Sequence, residues 1–318
     1  MKTRTKIVAG VSAVLGIAII GIVAANWVPD RPVSALTERW AAPPSQFVAL
    51  AGMRVHLRDE GPRTDPLPIV LIHGTSASLH TWQGWASALR ARHRVVSFDL
   101  PGFGLTGPSP EGDYTIEAYV RFIGVLLDHL GIEHCVLAGN SLGGNIAWET
   151  AYTMPGRVQK LVLVDAGGYP PSSTSVPVGF RLARIPVLNH VTQSLLPRSL
   201  IAASLRNVYA DPAKVTPELV DLYFDMTARE GNRRALAQRF TQSDFGAHAS
   251  RIAALTLPTL ILWGGRDRLI PPDNAAHFHQ DIAGSRLVIF DELGHVPHEE
   301  DPARTVAAVE EFLDGEGK

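Results

Sequence analysis

A chain of 318 residues that is 46% hydrophobic and 19% charged can bury one large core or two modest ones, and is too apolar to be disordered along its length. Its formal net charge of -2 offers neither the basic footprint of a nucleic-acid binder nor an acidic tail. The single cysteine, Cys135, excludes an internal disulfide, reads as a buried thiol within the apolar run 135–138, and leaves the redox compartment open.

In chain order, Lys2, Arg4 and Lys6 precede an uncharged run over 7–28. At about 1.5 Å per residue this run reaches roughly 33 Å, enough to cross a bilayer core. The apolar part of a cleaved signal peptide is shorter, about 7–15 residues. The length therefore favours an uncleaved signal anchor over 1–28, while small residues at Ala24 and Ala25 keep a secreted or periplasmic product of cleavage as the alternative. Three cations before the span put the N-terminus on the cytoplasmic side and the body, held by a membrane-spanning helix, on the far side. Pro29, Pro32, Pro43 and Pro44 make 29–45 read as a tether.

Alternation over 47–60 predicts two short strands turning at Ala51-Gly52. From residue 68 the rhythm becomes strand, loop, helix. Strands are predicted over 68–72, 94–98, 135–138, 160–164, 258–263 and 286–290, each a short apolar run suited to a buried parallel sheet. Helices are predicted over 82–89, 115–130, 145–153 and 303–313, the second stopped by Gly131. The stretch 169–250 breaks the rhythm: it opens on Tyr169-Pro170-Pro171 and turns helical in short pieces. The expected organisation is an α/β core over 46–168 and 251–318, with a mostly parallel sheet covered on both faces and a helical cap over 169–250.

The pentad Gly139-Asn140-Ser141-Leu142-Gly143 follows an apolar strand and opens a helix. That setting, rather than the pentad itself, marks a nucleophile elbow, a strained turn that leaves the serine hydroxyl exposed at its tip. A serine is a poor nucleophile until a base takes its proton. Of twelve histidines, His295 is the candidate base, because it lies just past the strand 286–290. His73 also follows a strand, but beside Gly74 and Thr75 it reads as a brace for that loop, and His298 reads as the start of the last helix. Asp267, beyond the strand 258–263, is the candidate acid that fixes the imidazole, and it completes the chain order serine, acid, histidine. Asp165 is its competitor, while Asp99 reads as part of a structural turn. The backbone N–H groups of Leu142 and Thr75 are the candidates for binding an oxyanion.

Together His73-Gly74, the run 99–104, the pentad, Trp263-Gly264-Gly265-Arg266-Asp267 and Gly294-His295-Val296-Pro297 resemble the α/β-hydrolase fold superfamily, in family order and over about 47–315. The resemblance implies an eight-stranded, mostly parallel sheet with a cap inserted after the sixth strand, and no metal or organic cofactor. Serine at 141 departs from the epoxide hydrolase and haloalkane dehalogenase branches, which place an aspartate there. The elbow is similar to that of meta-cleavage C–C bond hydrolases, which usually carry a tryptophan after the histidine where Val296 stands here. The expected activity is therefore a serine carboxylic-ester hydrolase acting on a small apolar ester or related acyl substrate. Phe180, Leu182, Ile185, Val187, Leu188, Leu195 and Leu196 are available to line its pocket or simply to pack the cap. The alternatives are a C–C bond hydrolase and a non-catalytic, membrane-tethered binding protein of the same fold.

Overall fold

The computed structural model describes residues 21, 23–185 and 194–315. Eight strands form one sheet: β1 (Gln46–Leu50), β2 (Met53–Glu60), β3 (Ile69–Ile72), β4 (Val95–Phe98), β5 (Cys135–Asn140), β6 (Val158–Val164), β7 (Thr259–Gly264) and β8 (Arg286–Phe290). Their order across the sheet is β1-β2-β4-β3-β5-β6-β7-β8. β1 and β2 pair antiparallel, as do β2 and β4, and every other pair is parallel.

The central strands β3, β4, β5 and β7 are buried at every position, which is why each reads as an unbroken apolar run. The period of two still sorts their side chains. In β3, Val70 and Ile72 join one core with Leu126, Ile146 and Phe278, while Ile69 and Leu71 join the other with Trp85, Val306 and Val309. The helices that cover these faces are α2 (Gln83–Leu89), α3 (Ile116–His129), α4 (Leu142–Thr153), α9 (Asp273–Asp281) and α11 (Pro302–Asp314). The chain ahead of α11 makes a separate short helix α10 (Pro297–Glu300), because Pro302 has no N–H to continue it and Asp301 caps the new start at the Arg304 amide. Between β6 and β7 lie α5 (Val178–Ala183), α6 (Arg198–Val208), α7 (Pro217–Ala228) and α8 (Asn232–Gln242). α7 shows how locally such pieces are specified: the Thr216 hydroxyl accepts the Leu219 N–H at 3.2 Å, and Pro217 occupies the first turn, where no N–H is needed.

The stretch read as a tether is packed against the body. Residues Ser34–Trp40 form α1, whose Leu36 is buried with Leu105 and Met226. The buried Asp225 of α7 receives Arg31 and the Trp40 indole N–H, the latter at 2.8 Å, and Arg39 lies 3.6 Å from it. Prolines broke the sequence pattern on both sides of a seven-residue helix too short to show a period. The expected membrane span over 7–28 falls largely on residues 1–20 and 22, outside the described residues. Among the described residues no helix is long and apolar enough to cross a membrane.

The sheet order fixes where a ligand can bind. From β3 the chain steps to β4 on one side and then to β5 on the other. The loops leaving β3 and β5 therefore part at the sheet's C-terminal edge and open a crevice there. Residues 73–76 leave β3 and Ser141 leaves β5 at this point.

Candidate active site

β5 runs to Asn140 and α4 starts at Leu142, so Ser141 alone makes the turn between strand and helix. The sequence pattern ends the strand at 138 and starts the helix at 145, because the intervening glycines look like a loop. The tighter join has a backbone consequence. Ser141 has φ 56 and ψ -114, a conformation a side-chain-bearing residue rarely adopts. Such a turn needs neighbours without side chains. A Cβ on Gly139 would lie 2.1 Å from the Gly143 carbonyl oxygen, and one on Gly143 would lie 2.1 Å from that of Ile72. The Leu142 N–H opens α4, so it belongs to the first-turn donors that have no carbonyl partner within the helix.

His295 and Ser141 line the same chamber. The His295 Nδ1 lies 2.7 Å from Asp267 Oδ2. A carboxylate accepts there, so Nδ1 carries the proton and Nε2 keeps its lone pair. Asp267 is fixed in turn: its Oδ1 accepts the N–H groups of Leu269 at 2.8 Å and Ile270 at 3.0 Å. Asp165, the competitor, is buried beside this pair and accepts the Gly264 N–H through Oδ1 at 3.0 Å. Burial first, and then the charge of Asp267, push its carboxyl well above the usual range, which opposes a second negative charge beside Asp267. Asp165, Asp267 and His295 each place one ligand-type atom within 4.8 Å of the others, yet both Asp267 oxygens and Asp165 Oδ1 already accept protein N–H groups.

The other candidates take the places their contacts allow. Thr75 borders the chamber beside Gly74 and Ser141. His73 is fully buried, and its Nε2 accepts the Leu100 N–H at 3.0 Å while its Nδ1 donates to the Gly74 carbonyl at 2.7 Å. Burial keeps its pKa below the usual value, so this ring is a neutral brace for the loop that carries Thr75. Asp99 accepts from the Leu79 and Leu105 amides, each at 2.7 Å, and pairs with His56. Burial alone would raise its carboxyl, but His56, which also hydrogen-bonds to it, together with His73 and His80 holds it low. Its work is to tie the Leu79 segment and its own loop at Leu105 to β2 at His56.

Two residues that the sequence pattern did not single out hold His295 in place. Asn140 donates through Nδ2 to the carbonyls of Val164 at 3.1 Å and His295 at 3.0 Å, linking the elbow to the histidine loop. The buried Glu300 carboxylate accepts the Gly294 N–H at 2.7 Å and the Ala210 N–H at 3.0 Å, and the His295 N–H donates to the Val208 carbonyl at 2.8 Å. The end of α6 is thus fastened to the histidine loop. The only sequence signal for either was proximity, one residue before the serine and five after the histidine.

Two chambers meet at Ser141 and Thr75. The first encloses about 1030 Å³ counting its open mouth, and its cap side is mostly apolar, with Ser204, Tyr223, Thr227 and Arg233 also in its lining. Phe180, Leu182, Leu195 and Leu196 line it, as expected; Ile185 is instead exposed, and Val187 and Leu188 lie outside the described residues. The second encloses about 750 Å³ and runs between Leu142 and Asn145 on the core and Arg184, Arg239 and Phe240 on the cap.

Residues 68–302 match the family model described as the alpha/beta hydrolase fold. The chain belongs to that family and is a hydrolase. It is 33% identical over 300 residues to an uncharacterized protein of Mycobacterium tuberculosis, covering 89% of this chain and 84% of that protein. It is 30% identical over 277 residues to a 2-hydroxymuconate semialdehyde hydrolase of Pseudomonas sp. strain CF600, covering 84% of this chain and 92% of that protein. Among solved structures, the meta-cleavage product hydrolase of Pseudomonas fluorescens IP01 superimposes with a TM-score of 0.74 at 26% identity, covering 85% of this chain and 97% of that one.

Proposed function

We propose that the protein is a serine hydrolase that cleaves a carboxylic ester through an acyl-enzyme on Ser141. The observation that carries this reading is the His295–Asp267 hydrogen bond of 2.7 Å behind a histidine that shares its chamber with Ser141. With Nδ1–H held by Asp267, the Nε2 lone pair takes the Ser141 proton as Oγ attacks the ester carbonyl. The Leu142 and Thr75 amides receive the oxyanion that forms. His295 returns the proton to the departing alcohol oxygen, the ester C–O bond breaks, and the acyl group stays on Ser141. Water gives its proton to His295 as its oxygen attacks the acyl carbon, and the acid leaves as His295 passes that proton to Ser141 Oγ, which regenerates the serine. The raised Asp165 carboxyl favours the negative charge on Asp267, where it stabilises the imidazolium.

The relatives named for semialdehyde and meta-cleavage products favour a second reading, hydrolysis of a C–C bond at the same serine. Val296, directly after His295, is an apolar wall of the first chamber and offers a substrate no polar group from its side chain. That favours the ester. Short p-nitrophenyl esters assayed beside a meta-cleavage product decide between the two. Ester turnover that disappears in Ser141→Ala supports the first reading. Turnover of the meta-cleavage product alone replaces it with the second.

The N-terminal segment anchors the body to a membrane, with the hydrolase on the extracytoplasmic side. The uncharged length of 7–28 behind three cations supports this. Carbonate extraction of membranes tests it: release of the full chain into the soluble fraction contradicts an anchor.

A further inference from the structure

We propose that Arg239 makes the second chamber a carboxylate subsite, so that the substrate is an acyl compound with an apolar arm on one side of the scissile bond and an anionic arm on the other. This rests on Ser141 being the nucleophile at which the two chambers meet.

Three arginines among the described residues are buried, Arg94, Arg233 and Arg239. Arg94 has Asp59, which accepts from Nε at 3.0 Å and from Nη2 at 2.9 Å. Arg233, at the wall of the first chamber, also has Nε and Nη1 without a partner, but its Nη2 donates to Asp30 and to the Val28 carbonyl, so its charge is met by an acid. Arg239 is 6% exposed, lines the second chamber, and pairs with no carboxylate among the described residues. Its Nε and Nη1 have no hydrogen-bond partner. A guanidinium does not give up its proton at ordinary pH, so this is a buried cation with idle donors. The second cation in the chamber, Arg184, adds to the positive potential, and no Asp or Glu among the described residues lines the walls.

Packing accounts for only part of this. The Arg239 guanidinium carbon lies 5.6 Å from the centroid of the Phe240 ring and 5.7 Å from that of Phe245. Two aromatic faces hold a cation in place, but they satisfy none of its N–H groups in the plane. An anion such as a carboxylate is the hydrogen-bonding complement of a guanidinium. The first chamber is lined mainly by apolar side chains, among them Leu195, Leu196, Leu200 and Ile201, and its one arginine, Arg233, is paired with Asp30. A substrate carbonyl at Ser141 therefore has a mainly apolar side and a side whose cations face no acid.

Paired probes test this with the full chain. One of each pair is the p-nitrophenyl hemiester of succinic, glutaric or adipic acid, which carries a free carboxylate; the other is the same compound capped as its methyl ester. At the best chain length the wild type should favour the hemiester in kcat/KM roughly ten- to a hundredfold, the range of a charged hydrogen-bonded contact. Arg239→Gln should collapse that ratio, and Arg239→Lys should restore part of it. Binding is measured separately by calorimetry in Ser141→Ala, with monomethyl adipate against dimethyl adipate; adding Arg239→Gln should remove the preference for the anion. If the hemiester ratio is unchanged by Arg239→Gln across the series, or the anion binds Ser141→Ala no better than the diester, the subsite is wrong. Undiminished turnover in Ser141→Ala would instead refute the nucleophile, and the anion preference in the wild type and Arg239→Gln would still be read from the same probes.

Discussion

Ser141 occupies a backbone conformation that only its surroundings can enforce. Gly139 and Gly143 supply those surroundings by letting β5, α4 and the end of β3 approach without side chains between them. Gly143→Ala should therefore cost several kcal/mol, because the carbonyl it would strike is backbone and cannot swing away; a cost of roughly 3 kcal/mol or more is the scale of such strain combined with displacement of a packed strand. Urea unfolding measures it, and a loss below about 0.5 kcal/mol would show that the elbow is looser than described. At this scale the sequence was highly legible. Serine, aspartate and histidine each follow a strand, and strand ends are visible as the close of an apolar run. Asp267 and Asp165 could not be separated that way, since both follow strands; only the 2.7 Å contact to His295 Nδ1 and the burial of Asp165 beside it distinguish them. Arg239 was illegible for a different reason. Nothing in a helical sequence shows that a particular arginine turns inward and finds no acid.

The cap and the histidine loop behave as one joined element. Glu300 gathers N–H groups from Gly294 on one side and from Ala210 and Asp211 on the other, with Val208 accepting from His295. Glu300→Gln replaces one acceptor with an NH2 group facing donors. It should destabilise the fold by about 2 kcal/mol and lower kcat, because the base loses its registration; unchanged stability together with unchanged kcat would remove the joint from the account. The neighbouring α10 carries a pH signature. His298 is stacked on Trp82 with centroids 4.2 Å apart, and its Nε2 meets the Thr81 hydroxyl at 2.8 Å. Burial, and then the nearby His295, push its pKa down to about 3. The folded state thus keeps this ring neutral while the unfolded chain takes up a proton below about pH 6.5, so its contribution to stability is lost as pH falls through that window. Between pH 7 and pH 5 the wild type should lose about 2 kcal/mol more than His298→Gln. Parallel losses in urea titrations at the two pH values would contradict the burial argument. None of these joints had a sequence period to reveal it, since they depend on contacts between loops far apart in the chain.

For the molecule as a whole, the sheet order decides where chemistry happens and the N-terminal segment decides how the cap is held. Alternating strands and helices make the parallel sheet and the interruption between β6 and β7 legible, but the packing of 31–40 is not, because its partners, Leu105 in the core and Asp225 and Met226 in the cap, lie far along the chain. A chain lacking residues 1–25 is the reference for the stability of the body. Removing 1–41 should lower it by about 3 kcal/mol or more, since the buried Asp225 loses Arg31, Arg39 and Trp40 together. Equal melting temperatures for the two truncations would show that α1 contributes nothing. The central claim, that Ser141 is a nucleophile driven by His295 and Asp267, is tested most directly by fluorophosphonate labelling read by mass spectrometry. We predict one adduct on the peptide carrying Ser141, none in Ser141→Ala, and labelling slowed by orders of magnitude, about 10⁴ by analogy with other serine triads, in Asp267→Asn. An intact, folded protein that forms no adduct at Ser141, or that labels as fast without Asp267, would contradict it.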